Sequence, residues 1–207
     1  MKKSVSKMFG LALDERTDQR MVFHPSKTCP ECGTKLAARK EDSAWQCPNL
    51  DCPAQVRERI GHWCSPEAMD IPLADKALMA QLVKQGLVFD VSELYSLKLS
   101  EVAALEGRDK QFARDFLDQL TASKAREAWR VLYGLSIPMV GVEAAKELCR
   151  HFAAVDDILP AGPDRIVKQA AVSDAIACSI AHWYGDGVNR RLVRRLQKAG
   201  VNFKTGL

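Results

Sequence analysis

Four cysteines in the first quarter of this 207-residue sequence have the spacing of a metal site. They are Cys29, Cys32, Cys47 and Cys52, in the arrangement Cys-x2-Cys-x14-Cys-x4-Cys. Two close cysteine pairs separated by a turn-sized segment are typical of a tetrahedral Zn²⁺ ion held by four thiolates. Because cysteine takes all four positions, no position is left open for water or substrate. The spacing therefore predicts a structural zinc and not a catalytic one.

Two other interpretations of these cysteines are weaker. A redox Cys-x-x-Cys motif needs a surrounding βαβ unit, and the sequence around Cys29 contains no such pattern. Four incidental buried thiols would not explain Gly33 directly after one pair, or Pro48 and Pro53 around the other. Such turns direct backbone amides at the sulfurs of a metal site. The remaining cysteines are predicted to be small apolar fillers of helices, and they are Cys64, Cys149 and Cys178.

The composition predicts a mainly α-helical body behind this metal module. Hydrophobic residues make up 47% of the chain and charged residues 27%, which is ordinary for a globular protein. Residues that favour helices fill most of the sequence after residue 54. An odd total of seven cysteines argues against a closed disulfide framework and favours a reducing, intracellular compartment. No segment is long and apolar enough for a signal peptide core or a membrane span.

Apolar stripes and capping residues predict short helices with shorter connections, typical of an array of helical hairpins. Leu78, Leu82 and Val83 form one stripe, with Gly86 as its C-terminal cap. The other predicted helices are one from Asp90 or Ser92 to Leu97, one from Ser100 to Leu105, one around Phe112 to Leu120, and helices over Lys124–Leu135, Glu143–Phe152, Asp174–Tyr184 and Asn189–Ala199.

The C-terminal helix is the basic part of a chain whose net charge is only +4. Its arginines are Arg190, Arg191, Arg194 and Arg195. Leu192, Val193 and Leu196 occupy the core side, so the arginines face solvent or a phosphate backbone. The charge pattern leaves both interpretations open.

A series of motifs carries a resemblance to a known family. In order, they are CPECG, CPNLDCPAQ, RIGHW, AMDI, GLVFDVSELYSL, LEGRDKQFARDFLDQLTASK, LYGLSIPMVGVEAAKELCRHF, AVSDAIACSIAHWY and LVRRLQKAGV. From Phe23 onward the chain resembles the zinc finger and helix-hairpin-helix domain of bacterial NAD-dependent DNA ligases. Residues 1–22 lack sustained periodicity and are predicted to be an N-terminal tail. The resemblance implies a four-cysteine zinc finger over residues 23–62 and a helix-hairpin-helix domain over 63–207.

The resemblance also implies a ligand, because helix-hairpin-helix motifs hold duplex DNA by its backbone without reading its sequence. Each hairpin of the family usually contains Gly-hydrophobic-Gly, which lets the backbone approach a phosphate. Here the third hairpin keeps Gly141, and the second keeps Gly107 but continues with Arg108 and Asp109. The first and fourth hairpins lack the glycines and read Pro72-Leu73-Ala74 and Ala171-Val172-Ser173. The predicted DNA contacts are Gly141, Gly107, Arg108, Arg190, Arg191, Arg194 and Arg195.

The family's catalytic parts are missing from this sequence. It contains no Lys-x-Asp-Gly adenylation motif, and residues 1–22 are too short for an OB-fold. The prediction is a non-catalytic module in the bacterial cytoplasm, associated with the nucleoid, with duplex DNA and a ligase or repair protein as partners. The alternatives are a protein-interaction scaffold with degenerate hairpins, or a fragment or subunit of an NAD-dependent DNA ligase. Met1 and the lysine-rich start favour a short gene product over a fragment.

Overall fold

A computed structural model describes residues 28–38 and 45–206 of the chain. The predicted tail over residues 1–22 lies outside the described residues. The part that contains the four cysteines is made of turns and one small antiparallel sheet, formed by β1 (Ala37–Ala38) and β2 (Trp45–Gln46). A further bridge between Thr28 and Lys35 closes the first cysteine turn. The turn-rich character follows from the prolines and glycine in this segment.

The rest of the described chain is helical, which confirms the predicted mainly α class. A 3₁₀ turn over Glu93–Ser96 separates the second and third helices. The α-helices are α1 (Pro53–Cys64), α2 (Lys76–Lys84), α3 (Leu99–Ala103), α4 (Lys110–Ser123), α5 (Ala128–Gly134), α6 (Val142–His151), α7 (Val155–Ile158), α8 (Pro163–Ala170), α9 (Asp174–Gly185) and α10 (Gly187–Lys198).

Four pairs of consecutive helices pack together as hairpins. The first hairpin joins α1 to α2, the second joins α3 to α4, the third joins α5 to α6, and the fourth joins α8 to α9. α10 packs against α9. Within the described residues, no helix is long and apolar enough to cross a membrane.

One apolar core runs through all four hairpins, and Trp63 at the end of α1 is its largest fully buried side chain. Its indole N–H donates to the Tyr95 hydroxyl at 3.1 Å, so the polar atom of this buried ring has a partner. Gly134 at the end of α5 lies directly against the ring, because a Cβ there would stand 2.9 Å from Trp63 Cε3. The absence of a side chain at Gly134 therefore permits the close approach of α1 and α5.

The C-terminal segment closes this core by crossing back over earlier elements. Val201 and Phe203 are buried, and Lys204 forms a β-bridge with Ala154. The Asn202 N–H donates to the Lys124 carbonyl at 2.8 Å. The end of the described chain is thus fixed against the segment that precedes α5.

Several predicted boundaries were wrong at the ends of helices. The segment over Glu93–Ser96 is a 3₁₀ turn. The cap of α3 is Lys98, not Ser100, because the Glu101 carboxylate accepts from the Lys98 N–H at 2.8 Å. α5 begins at Ala128 and not at Lys124, since residues 124–127 form a turn.

Two further predictions differ from the structure. α7 and α8 were not predicted, because their few apolar positions are interrupted by Pro160, Gly162 and Pro163. Cys64 and Cys149 are buried as expected, whereas Cys178 is exposed on α9. The prediction of an apolar filler was therefore wrong for Cys178.

Candidate zinc centre and nucleic-acid interface

Two sets of turns bring the four predicted ligand sulfurs together. One follows Thr28 and the other precedes α1. All four Sγ atoms lie within 4.8 Å of one another. The Cys29 and Cys52 sulfurs are 3.6 Å apart, and those of Cys32 and Cys47 are 3.5 Å apart. A tetrahedral zinc with Zn–S bonds of about 2.3 Å needs sulfurs about 3.8 Å apart. The cluster therefore has the size and donor set that Zn²⁺ requires.

Backbone amides surround these sulfurs, as expected for thiolate ligands. The Asn49 N–H reaches Cys47, and the N–H groups of Ala54 and Gln55 in the first turn of α1 reach Cys52. The side chain and the backbone N–H of Thr34 both reach Cys32. Backbone N–H groups at the start of α1 and in the turns thus direct the positive ends of their dipoles toward the sulfurs.

The protonation of the cluster is uneven. Hydrogen bonds from Thr34 lower the pKa of Cys32 to about 6. Burial raises the pKa of Cys47 to about 12 and also raises the pKa of Cys52. These four cysteines would hold zinc as thiolates, so binding of the metal would release protons from Cys47 and Cys52, whose pKa values are raised.

Outside the zinc module, the groups that could meet a phosphate include the N-terminus of the second helix of each hairpin. In the first two hairpins these starts are occupied by carboxylates. Asp75 Oδ1 accepts from the Leu78 N–H at 2.6 Å, and Asp109 Oδ1 accepts from the Phe112 N–H at 2.7 Å. Each carboxylate satisfies an amide and places a negative charge where an anion would bind.

The second helices of the third and fourth hairpins, α6 and α9, are not capped by carboxylates. The N-cap of α6 is Gly141, which has no capping side chain, and apart from its chain neighbours no heavy atom lies within 4 Å of the position that a Cβ on Gly141 would take. The φ angle of Gly141 is −80°, which any residue adopts, so the backbone conformation does not require glycine here. The absence of a side chain instead leaves the start of α6 accessible. α9 is capped by the neutral Ser173 hydroxyl, 3.4 Å from the Ile176 N–H. Neither helix start carries a carboxylate as its cap.

Gly107 and Arg108, both predicted DNA contacts, have structural roles in the second hairpin. Gly107 has a φ angle of +72°, a conformation that favours glycine. Arg108 Nη2 donates to both carboxylate oxygens of Asp75, at 2.8 and 3.0 Å, and the guanidinium lies 4.2 Å from the centre of the Phe112 ring. Its side chain is only 15% exposed. The structure thus places Arg108 between the first two hairpins, where it pairs with Asp75. Its predicted contact with a DNA phosphate stays a prediction.

The four arginines of α10 lie on one basic helix but have different partners. Val193 and Leu196 are buried and Leu192 is partly buried, as predicted. Arg190 Nη1 donates to the carbonyls of Tyr184 and Gly185, at the end of α9. Arg195 pairs with Asp90 and, at 3.9 Å, with Glu93.

Arg191 and Arg194 are exposed on the same helix. Among the described residues, neither takes part in an ion pair of 4 Å or less with a carboxylate. Within the described residues, these two therefore lack the carboxylate contacts of Arg195, and no contact like that of Arg190 with the end of α9 is seen for them.

A cleft of about 670 Å³ separates the zinc module from the third hairpin. It is lined by Gln46, Arg59 and His62 and by Ser136 and Pro138 of the third hairpin. His62 Nε2 lies 3.0 Å from the Tyr133 carbonyl oxygen. The zinc module and the third hairpin therefore border the same concave surface.

Sequence comparisons identify both parts of this arrangement. Residues 28–54 match the NAD-dependent DNA ligase C4 zinc finger domain, and residues 130–193 match a helix-hairpin-helix motif. The molecule is thus a C4 zinc-finger protein with a helix-hairpin-helix array, and zinc is the cofactor of its cysteine module.

Nearly the whole chain is also similar to DNA ligases. It is 33% identical over 201 residues to the DNA ligase of Pelotomaculum thermopropionicum, covering 97% of this chain and 30% of that protein. The corresponding ligase of Corynebacterium jeikeium is 36% identical over 208 residues, covering 97% of this chain and 30% of that protein. That of Koribacter versatilis is 36% identical over 182 residues, covering 88% of this chain and 27% of that protein.

These matches confirm the resemblance to the zinc-finger and helix-hairpin-helix part of bacterial NAD-dependent DNA ligases. The chain spans about 30% of the length of these relatives. The second family match, over residues 130–193, covers the third and fourth hairpins.

Sequence reasoning missed the capping role of Asp75 and its pairing with Arg108. The cap had a signal, since an Asp directly before an apolar helical stripe is a common helix start. The pairing had none, because 33 positions separate the two residues and only the packing of the hairpins brings them together.

Proposed function

We propose that this chain is a non-catalytic module that binds the backbone of duplex DNA without sequence preference. In this proposal Cys29, Cys32, Cys47 and Cys52 hold a structural zinc, and the third hairpin with α10 makes the main DNA contacts. Such a ligand implies action at the bacterial nucleoid, alone or beside a ligase or repair protein.

The observation that carries the proposal is the open start of α6 at Gly141. Amides in the first turn of a helix lack intrahelical partners, and together with the helix dipole they bind anions such as phosphate. At Gly141 no side chain caps the helix, and apart from its chain neighbours no heavy atom lies within 4 Å of the position that a Cβ on this residue would take. The same hairpin lies within the matched helix-hairpin-helix segment.

The charges of the first two hairpins restrict the proposed contact to the C-terminal half of the array. A phosphate at α2 or α4 would meet the carboxylate of Asp75 or Asp109 at hydrogen-bonding distance from the same amides. The Leu73 N–H is also occupied, because it donates to Gln119 Oε1 at 3.0 Å. Arg191 and Arg194 are exposed on α10 and supply positive charge on the C-terminal half.

A binding titration tests the proposal directly. Nicked and intact duplexes of equal length and different sequence are titrated at two salt concentrations with zinc-loaded protein. We expect equal affinity for different sequences and a steep fall with salt, because released counterions dominate backbone binding. Absence of binding at low salt would exclude the proposed function.

Gly141→Val is the matching variant, since the new side chain would stand between the α6 amides and a phosphate. Gly162→Val is its control. Gly162 also precedes a helix, α8, and also has open space at its Cβ position, but it lies outside the hairpin turns. We expect Gly141→Val to weaken binding to all sequences alike and Gly162→Val to leave it unchanged. Equal effects of both variants would remove the third hairpin from the proposal.

The salt dependence of the DNA affinity tests the contribution of the α10 arginines. Replacing Arg191 and Arg194 together by Ala should reduce the slope of log affinity against log salt by about 0.9 for each lost phosphate contact. Arg190→Ala is a control on the same helix, because its guanidinium is held by the carbonyls at the end of α9. An unchanged slope in the double variant would show that these two arginines contact solvent and not DNA phosphates.

The non-catalytic part of the proposal rests on the absence of an adenylation motif in the sequence and on the closed donor set of the zinc cluster. Incubation with labelled NAD or ATP, followed by denaturing electrophoresis, should leave the protein unlabelled. A labelled band at 23.0 kDa would identify an adenylated residue and contradict this part.

A protein-interaction scaffold is the second candidate. The favouring observation is that Arg108 and Arg195, two of the predicted DNA contacts, instead pair with carboxylates of the chain. If the wild-type protein fails to bind either duplex while remaining folded and zinc-loaded, the scaffold is the function that the hairpins support.

A further inference from the structure

A pocket of about 380 Å³ lies at the end of the third hairpin that is remote from Gly141. Three segments line it, which are the start of α5 with the turn before it, the second half of α6, and the C-terminal residues 202–206. The turn over residues 135–141 joins the opposite ends of the same two helices. Because an α-helix rises about 13 Å between Gly141 and Arg150, this α5–α6 pocket is separate from the proposed DNA contact at the start of α6.

The charged residues that line the α5–α6 pocket are three cations and one carboxylate. The cations are Lys146 and Arg150 of α6 and Lys204 of the C-terminal segment, and the carboxylate is Glu127. Glu127 Oε2 is already paired, since it lies 2.8 Å from Arg130 Nε. The pocket is therefore positively charged.

The partners of these cations within the chain leave them accessible to a ligand. Lys146 pairs with Glu143 at 3.2 Å, and Arg150 pairs with Glu147 at 2.7 Å, in both cases from one turn earlier on α6. Such pairs along one exposed helix face contribute little to stability, so a ligand carboxylate can replace them at low cost. Across the part of the chain that the structure describes, the Lys204 ammonium forms no ion pair of 4 Å or less.

The backbone that carries Lys204 is fixed on both sides. The Asn202 side-chain amide donates to the Arg126 carbonyl at 3.1 Å, and the Thr205 hydroxyl donates to the Phe152 carbonyl at 2.7 Å. The Lys204 side chain itself is exposed. A ligand that pairs with Lys204 therefore does not have to order the segment first, which reduces the entropic cost of binding.

Apolar surface lies beside these charges. Ala128 and Cys149 line the pocket and are buried, and the indole of Trp129 is partly buried against the core. The Arg130 guanidinium and the Lys146 ammonium lie 4.6 and 5.1 Å from the centre of that ring. The ring is thus already in contact with cations and is not an unoccupied platform for stacking of a nucleobase.

These features favour one kind of ligand over nucleic acid. A duplex is too wide to enter a pocket of this volume and could touch only its exposed cations. An extended peptide can place one apolar side chain against Ala128 and Trp129 and place flanking carboxylates near Lys146, Arg150 and Lys204. Complementary charge of this kind speeds association and selects the partner.

We propose that the α5–α6 pocket is a docking site for an acidic segment of a partner protein that carries one apolar anchor residue. This inference goes beyond the proposed DNA binding and does not depend on it. Since the pocket and Gly141 lie at opposite ends of the third hairpin, the module can hold a duplex and the partner at the same time.

A labelled peptide tests the pocket directly. The probe is a fluorescein-labelled peptide with one leucine between runs of aspartate and glutamate, titrated with the zinc-loaded chain and followed by fluorescence anisotropy. We expect saturable binding that weakens with salt, that is weaker for a peptide with serine in place of the leucine, and that persists with saturating nicked duplex present. A peptide with lysines in place of the acids should not bind.

Variants of Lys204 assign the binding to the pocket. Lys204→Glu should weaken peptide binding roughly tenfold and leave the affinity for duplex and the melting temperature unchanged, whereas Lys204→Arg should retain peptide binding. Lys84→Glu is the matched control, because Lys84 is exposed on α2, lies outside the pocket and gives the same change of charge. Equal weakening by both glutamate variants would show a general effect of net charge and overturn the pocket.

Three other results would also overturn the docking site. They are absence of binding to the acidic peptide, its displacement by inorganic phosphate at equal concentration, and its displacement by duplex together with weaker duplex binding by Lys204→Glu. The last result would assign these cations to DNA. Peptide binding by a protein that binds no duplex would instead support the docking site and exclude the proposed function, so the two failures are distinguishable.

Discussion

The zinc module and the helical array of this chain are stabilised in different ways. The described part of the module buries only three cysteines, with Cys32, Leu36 and Ala54 packed around them, whereas the array buries a continuous set from Val56 to Phe203. Sheets of two-residue strands have little stability of their own. The comparison predicts that the fold of the zinc module depends on the metal, whereas the fold of the array depends on apolar burial.

Metal removal should give the largest effect and should be confined to the zinc module. We expect about one Zn²⁺ per chain, with an apparent binding free energy on the order of 10–16 kcal/mol that is also the folding energy of the module. Chelation, or Cys47→Ser, should abolish metal binding and leave the helical melting transition of the array in place. Metal analysis and far-UV circular dichroism measure the two effects.

Cys178→Ser is the control for this experiment, because Cys178 is exposed on α9 and distant in sequence from the cluster. It should keep its zinc. A loss of the helical transition upon chelation would show that the array also depends on the metal, and the distinction between the two units would fail.

The converse experiment removes apolar burial from the array. Trp63→Ala should lower the free energy of unfolding by about 3–5 kcal/mol, the range typical of a buried aromatic residue. It also leaves the Tyr95 hydroxyl without its indole partner. Chemical denaturation followed by circular dichroism should show the loss, while metal analysis of the folded fraction still gives one zinc.

Ile60→Val is a milder form of the same change, in case Trp63→Ala does not fold. Ile60 is fully buried in α1, and this substitution typically costs about 0.5–1.5 kcal/mol. Release of zinc in the folded Ile60→Val protein would contradict independent stabilisation of the two units.

The smallest expected effect is a pH dependence at the start of α2. Burial opposes ionisation of Asp75, but hydrogen bonds from the Leu78 N–H and from Arg108 outweigh it and lower the pKa of this carboxyl. A lowered folded-state pKa stabilises the protein above the unfolded value of about 3.9, and this stability is lost as the pH falls through the folded value. Asp75→Asn keeps a side-chain oxygen that can cap α2, since Asn is as good a cap as Asp, but removes the charge that pairs with Arg108. It should therefore cost less than about 1 kcal/mol at pH 7, typical of a largely exposed ion pair, and progressively less in acid.

Denaturation of the chelated protein at pH 7 and near pH 3 measures this effect without interference from zinc release. Asp118→Asn is the control, since Asp118 is an exposed acid in the middle of α4. If the cost of Asp75→Asn were independent of pH, the ion pair with Arg108 would contribute nothing to the stability of the array.

The sequence predicted the parts of the molecule that depend on local pattern. Cysteine spacing identified the metal cluster, and the stripe of Leu78, Leu82 and Val83 identified α2, because ligand spacing and helical periodicity are short-range properties. α7 and α8 were missed, since prolines and a glycine interrupt a periodicity that is already short. Local propensity contains no information on which elements will pack together.

The candidate DNA contacts show the same limit. Arginine at four positions of α10 indicated a basic helix, but which of them remain available depends on residues that packing brings close. Arg195 pairs with Asp90, 105 positions away in the chain. Arg108 pairs with Asp75 across two hairpins. The sequence therefore predicts a basic helix but not which of its arginines pair with carboxylates of the chain, because that depends on packing between distant elements.

Helix α1 belongs to both units at once. Cys52 immediately precedes it, while Val56, Ile60 and Trp63 on the same helix are buried in the array. A helix of this length spans about 18 Å. We therefore expect Cys52 to keep its place in the metal-free protein, held by the folded helix behind it. Zinc uptake then starts from one prepositioned sulfur, and the other three cysteines close onto the ion, so the module can be emptied and refilled without unfolding the rest of the molecule.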